Sequence, residues 1–218
     1  MAMSKRKRTL AVIAIVDILI LAVIVSVLFL RNSSDPAIDE LADLDVVLLP
    51  DAPVISDFML TDHNGESFTK QDFAGKWNLL FFGFTACPDV CPLTMNVLRL
   101  FYNDLENTEY GDSTQVIMVS VDPARDTVEA MSNYVSRYHD EFVGLTGELD
   151  EISSLADNLY MAFTEPPEHE GNHTPENYEI VHSSYIAIVN PEGKYLSVIR
   201  APHTKERLTK AYFAVRQI

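Results

Sequence analysis

Residues Trp77–Phe84 read Trp-Asn-Leu-Leu-Phe-Phe-Gly-Phe and run straight into a turn that holds both cysteines of the chain. Alternate side chains of a strand point to opposite faces. A run that is apolar at odd and even positions alike therefore needs cover on both faces of its sheet. That requirement excludes a half-wet antiparallel meander and calls for helices packed against a largely parallel sheet. The flanking segments agree. Residues 91–105 carry Leu93, Val97, Leu98, Phe101 and Leu105 at helical spacing, and residues 114–121 form a second apolar strand.

The same alternation continues to the C-terminus. Asp126 or Thr127 caps a helix reaching about residue 138. A short strand at 141–145 and a helix at 150–160 follow. Residues 165–179 are acidic and carry Pro166, Pro167 and Pro175, which marks a loop. Strands at 184–189 and 195–199 flank the turn Asn190-Pro191-Glu192-Gly193, and residues 205–215 close the chain as a helix. Upstream, Asn64-Gly65 signals a hairpin joining strands at 58–61 and 66–69. Strand-helix-strand followed by a terminal hairpin and helix is the thioredoxin-like pattern, an α/β fold.

The domain has a long N-terminal extension. Residues 10–30 are 21 residues with the single charge Asp17, enough to cross a bilayer as one transmembrane helix. Lys5-Arg6-Lys7-Arg8 precedes them, so residues 1–9 are expected on the cytoplasmic side. The run is long for a cleaved leader, and Arg31-Asn32-Ser33-Ser34 is not a small-x-small cleavage site. Residues 31–52 read as an acidic tether with a short helix near 38–44, and residues 53–218 as the folded domain. That domain is expected in the periplasm or an equivalent extracytoplasmic space, held to the inner membrane. Of the chain's 218 residues, 32 are acidic and 16 basic, a net charge of −16. Setting aside Lys5, Arg6, Lys7, Arg8, Arg31 and Asp17 deepens this to about −20. Such a surface repels nucleic acid.

Cys87 and Cys91 lie in Phe84-Thr85-Ala86-Cys87-Pro88-Asp89-Val90-Cys91-Pro92, at the turn from strand to helix. Ligands and cofactors of open α/β sheets collect at such carboxyl strand ends, and a helix N-terminus favours thiolates. A stabilising disulfide is the plain alternative, but a spacing this short closes almost no loop and gains little. Two thiolates select a soft ion, copper(I) or zinc. A third donor, most naturally an imidazole, completes a trigonal site or one for copper(II). His182 stands just before the strand that opens the final hairpin, a segment that passes the cysteine turn in a thioredoxin-like fold.

The strings FGFTACPDVCPLT, SVDPARDT and VHSSYIAIVNPEG, with the single N-terminal anchor, resemble the Sco/SenC family of copper proteins. The resemblance covers roughly residues 50–218. It implies a thioredoxin-like fold and one copper ion, Cu(I) or Cu(II), held by Cys87, Cys91 and His182. It further implies a role in metallating the copper-binding subunit of cytochrome c oxidase, with a periplasmic copper donor as a further partner. Members act as copper chaperone, thiol-disulfide reductant, or both. In the second role Cys87 is the attacking thiol and Cys91 the resolving one. The chain departs from the family where Ala86 replaces a frequent His and Val181 replaces a frequent Asp.

Other residues are weighed against these. Asp122 is expected at a strand end near the cysteine turn, where it shapes the turn or tunes the thiols. His169 and His173 fall in the acidic loop, His63 in a hairpin turn, and His139 and His203 are expected on the surface. Met95, Met118, Met131 and Met161 are read as core. A peroxidase reading leaves the cysteine spacing and His182 without roles.

Overall fold

The structure, a computed structural model, describes residues 5–31, 41–49, 51–164, 178 and 180–218. Helix α1 spans Lys5–Arg31. By contacts the chain divides in two after Glu40, and the second unit is Leu41–Ile218. Along α1 the described side chains are residue 13 and residues 15–27, all exposed. Among the described residues no helix is long and apolar enough to cross a membrane.

The second unit is built on one eight-stranded mixed sheet. Its strands are β1 (Val46–Leu48), β2 (Met59–Asp62), β3 (Ser67–Thr69), β4 (Trp77–Gly83), β5 (Thr114–Ser120), β6 (Val143–Thr146), β7 (Ile186–Val189) and β8 (Tyr195–Ile199). They lie in the order β1-β8-β7-β4-β5-β6-β2-β3. β4 is central, parallel to β5 and antiparallel to β7. The helices are α2 (Val90–Leu105), α3 (Val128–Val135), α4 (Leu149–Asn158) and α5 (Lys205–Val215). The β4–α2–β5–α3–β6 run is the pair of parallel crossovers expected from the alternation.

The two-faced burial of β4 takes a specific form. Leu79 and Phe81 enter a core shared with α2, α3 and α5. Leu80 and Phe82 enter a second core with Phe68 and Phe73 from the β2–β3 hairpin region and Ile152 and Leu155 of α4. Each face buries large side chains, at about 1.5–3 kcal/mol for each one fully covered.

Two local readings change. Residues 41–52, read as tether, contribute β1, which pairs with β8 through Val46↔Ile199. β8 would otherwise offer an open edge, and three apolar residues suffice to cover it. Residues 41–43 are helical, whereas residues 38–40 of the expected helix and residues 32–40 of the tether lie outside the described residues. The buried face of α2 is Cys91, Thr94, Met95, Leu98, Phe101, Tyr102 and Leu105, while Leu93 is 64% exposed. The helix is rotated so that the cysteine, not the leucine, enters the core. Most of the acidic loop, with His169 and His173, is also outside the described residues.

Candidate metal centre

The cysteine turn follows directly from β4. Pro92 sits in the first turn of α2, where a missing N–H is harmless, so the helix can start at Val90 and carry Cys91 inward. Cys91 is fully buried and Cys87 partly exposed, both as free thiols. β4 ends in Gly83 because Cys91 lies against it. A Cβ at Gly83 would stand 2.8 Å from Cys91 Sγ and 2.8 Å from Phe81 Cε1.

His182 arrives from 91 residues further along the chain, and its Nε2 lies 3.4 Å from Cys91 Sγ. The segment carrying it is bridged to residues 162–164. Phe163 pairs with His182, Thr164 N–H donates to Val181 O and Ser183 N–H to Ala162 O, both at 2.8 Å. The imidazole stands edge-on to Phe81 and Phe84, with centroids 5.9 and 5.8 Å away. Its Nδ1 is 3.2 Å from Ser183 O. A carbonyl only accepts, so Nδ1 carries the proton and Nε2 turns a lone pair toward the sulfurs. Burial lowers the pKa of His182, with the Ser183 carbonyl opposing, and this favours the neutral, ligating form.

The three donor atoms of Cys87, Cys91 and His182 all lie within 4.8 Å of one another. Donors about 2.0–2.3 Å from a common soft ion are separated by about 3.5–4.6 Å, so the 3.4 Å between Cys91 Sγ and His182 Nε2 needs to open only by about 0.1–0.3 Å, and two sulfurs and one nitrogen fit with small side-chain shifts. They form the sole such group of three among the described residues. Burial raises the pKa of the Cys91 thiol, and the Cys87 thiol and the Asp126 carboxylate push the same way, while the Phe84 amide opposes them. A proton therefore holds Cys91 firmly until a cation replaces it.

Asp126 is the residue that the sequence placed least well. Read as a helix-cap candidate, it is fully buried and leaves the cap to Thr127, whose hydroxyl accepts from Ala130 N at 3.2 Å. Its carboxylate instead accepts from Thr85 N at 3.0 Å, Thr85 Oγ1 at 2.6 Å and Ser120 Oγ at 2.6 Å. That ties the end of β5 to the start of the cysteine turn, two residues before Cys87. Asp122, expected at a strand end near the cysteine turn, follows the end of β5 and is also fully buried. It accepts from Tyr178 and pairs with Arg125, whose guanidinium lies 4.0 Å from the Tyr178 ring centroid and 5.6 Å from that of Phe84. Burial and donation to Asp122 raise the Tyr178 pKa to about 12.

The histidines expected on the surface are better engaged than that. His139 packs on Tyr102 at 4.7 Å and its Nε2 is 2.9 Å from Glu106. His203 is partly buried and its Nε2 is 2.8 Å from Ser184 O. His63 Nδ1 accepts from Gly144 N at 3.2 Å. None of these three joins the metal-capable group. Met95, Met118, Met131 and Met161 are core, as read.

A sequence profile described as SCO1/SenC matches residues 47–215. A Stutzerimonas stutzeri protein named for copper binding is 38% identical over 169 residues, 76% of this chain and 80% of that protein. The Schizosaccharomyces pombe protein sco1 is 34% identical over 71% of this chain, which spans 57% of that relative. The Danio rerio SCO2 homolog is 39% identical over 64% of this chain, which spans 49% of it. Among solved structures, Arabidopsis thaliana ScoI with copper bound superposes with a TM-score of 0.67 at 29% identity, covering 76% of this chain and all of that one. Yeast Sco1 with copper bound gives 0.66 at 30% identity, covering 73% and 86%.

Proposed function

The chain belongs to the SCO1/SenC family, and on that premise we propose that it binds one copper ion through Cys87, Cys91 and His182 and passes it to the copper-binding subunit of cytochrome c oxidase. The observation that carries the reading is the convergence of two sulfurs and one imidazole nitrogen within 4.8 Å. Two thiolates favour copper(I), and the imidazole extends the set to copper(II). Partly exposed Cys87 and His182 give an accepting protein a side from which to exchange ligands. The domain works outside the cytoplasm, tethered to the inner membrane by the segment around α1. The support for that placement is the apolar run of residues 10–30 behind its basic cluster, together with the exposed apolar side chains of α1.

A second role at the same site is favoured by one observation, the contrast between partly exposed Cys87 and buried Cys91. The Cys87 thiolate attacks a disulfide of the oxidase subunit and expels one of its sulfurs as thiolate. Cys91 then passes its proton to the thiolate just expelled from the partner and attacks Cys87 in the mixed disulfide, releasing the second partner sulfur. The partner gains two electrons and a Cys87–Cys91 disulfide remains.

Deleting the gene and measuring oxidase activity under copper limitation separates the roles. Restoration by added copper supports delivery. Restoration by a membrane-permeant thiol but not by copper supports reduction. Normal oxidase activity in the deletion overturns both.

A further inference from the structure

His182 is carried by a segment that the sheet does not hold. β7 begins only at Ile186, and among the described residues the segment 181–184 has no ladder partner beyond the bridge to residues 162–164. That bridge secures Val181 and Ser183 from one side. On the other side β8 ends at Ile199, opposite Ile186, and the chain continues past Pro202 to His203. The His203 ring reaches back, with Nε2 2.8 Å from the carbonyl of Ser184.

The polarity of this contact is fixed. Ser184 O can only accept, so Nε2 carries the proton and Nδ1 the lone pair. Nδ1 is buried and has no hydrogen-bond partner among the described residues. A histidine serving merely as filler gains nothing from a buried, orphaned nitrogen. The cost is understandable if the one bond that the ring does make is the useful one. Two consecutive carbonyls then each take an imidazole proton: Ser183 O from His182 Nδ1, and Ser184 O from His203 Nε2. The two carbonyls belong to neighbouring peptide planes, so the His203 bond fixes the plane that directly follows the one His182 bonds.

We infer that His203 is a positioning residue for the metal centre, anchoring the Ser183–Ser184 backbone so that His182 holds its proton on Nδ1 and presents Nε2 to Cys91. It touches no ligand atom itself. It also lines a groove of about 340 Å³ with Val90, Leu93, Thr94 and Val97 of α2, beside the cysteine turn. This deepens the copper reading, yet part of its test is independent of copper.

The test uses the full chain in detergent, with ¹⁵N-labelled histidine. In the metal-free protein, His182 is expected to show one tautomer, protonated at Nδ1. In His203→Phe, which keeps a ring and loses the donor, that single tautomer gives way to a mixture. In His203→Gln, whose amide reaches Ser184 O, it is restored. His203→Asn, one methylene too short, behaves like the Phe variant and decides the matter should His203→Phe fail to fold. With copper(II), the imidazole nitrogen splitting in the electron spin resonance spectrum weakens and affinity falls about 10–100-fold in the Phe and Asn variants, with recovery in Gln. Copper(I) affinity, dominated by the two sulfurs, stays within about threefold. An unchanged His182 tautomer in Phe and Asn, or failure of Gln to restore it, overturns the inference. Wild-type protein that shows the tautomer pattern and binds no copper leaves the inference standing and overturns the copper reading instead.

Discussion

Gly83→Ala tests whether the end of β4 is shaped around Cys91. The added Cβ would lie 2.8 Å from Cys91 Sγ and from Phe81 Cε1. Ordinary carbon–sulfur contact begins near 3.4 Å, so the sulfur or the ring must retreat about 0.6 Å. Both residues are fully buried and surrounded by core, and overpacking of this kind costs about 1–3 kcal/mol. Gly83 has no left-handed backbone angle. In open space alanine there would instead stabilise the protein by about 0.4–1 kcal/mol, by restricting the unfolded chain. The sign is therefore diagnostic. We expect a net loss of about 0.5–2 kcal/mol, or a Tm lower by about 1–8 °C for a domain of this size. The copper site should suffer more than the fold, since metal–ligand distances tolerate only about 0.2 Å. Thermal unfolding of the metal-free protein, with a copper(I) competition titration, provides both readings. In a Cys91→Ala background the cost should shrink, because one of the two clashing atoms is gone. A Tm equal to or above wild type, with copper affinity within about twofold, would refute this account of the turn.

Asp126→Ala orphans three donors and should cost at least about 3 kcal/mol, with copper affinity falling as the Thr85 anchor is lost; denaturant unfolding and copper titration check it. Burial raises the Asp126 pKa in the folded state. The stability due to its protonated form is thus complete below the unfolded value near 4 and is lost as pH rises through the raised folded value. Wild type measured against Asp126→Asn should lose relative stability over that rise and then level off; a growing advantage with pH would contradict the burial argument. Thr127→Ala should cost about 1 kcal/mol by loss of the α3 cap and leave copper binding untouched. Leu79→Ala and Leu80→Ala should each cost about 2–5 kcal/mol, because neighbouring positions of β4 face different cores. One large and one negligible value would mean that one sheet face is open.

The central architecture was legible because it rests on local pattern. The apolar run at β4 required cover on two faces, and the neighbouring helical periodicities supplied it. The Asn64-Gly65 turn and the final hairpin were equally local. Residues whose roles depend on distant partners were not. β1 is three residues in an acidic context, and only the free edge of β8 makes it a strand. Asp126 looked like a cap because Asp and Thr are both good caps, and nothing nearby in sequence announces that its carboxylate is claimed by Thr85 and Ser120. Leu93 was placed on the apolar face of α2 because leucine outranks cysteine and threonine in hydrophobicity. The fold buries Cys91 and Thr94 instead, since the turn after β4 delivers the cysteine inward. In the metal centre, the cysteine pair was plain from its place at a strand end. His182 lies 91 residues away and is reached only through the fold pattern, which brings the start of the final hairpin past the cysteine turn, with the family resemblance pointing to the same residue; the anchoring contact of His203 has no local signature at all.

The most direct test of the central claim is X-ray absorption of the copper-loaded full chain, alongside metal content per chain. The account predicts one copper per chain, coordinated by two sulfurs and one imidazole nitrogen. The nitrogen should vanish in His182→Ala, and one sulfur in Cys87→Ser or Cys91→Ser. Copper bound by oxygen donors, or a coordination shell that none of these substitutions alters, would contradict it.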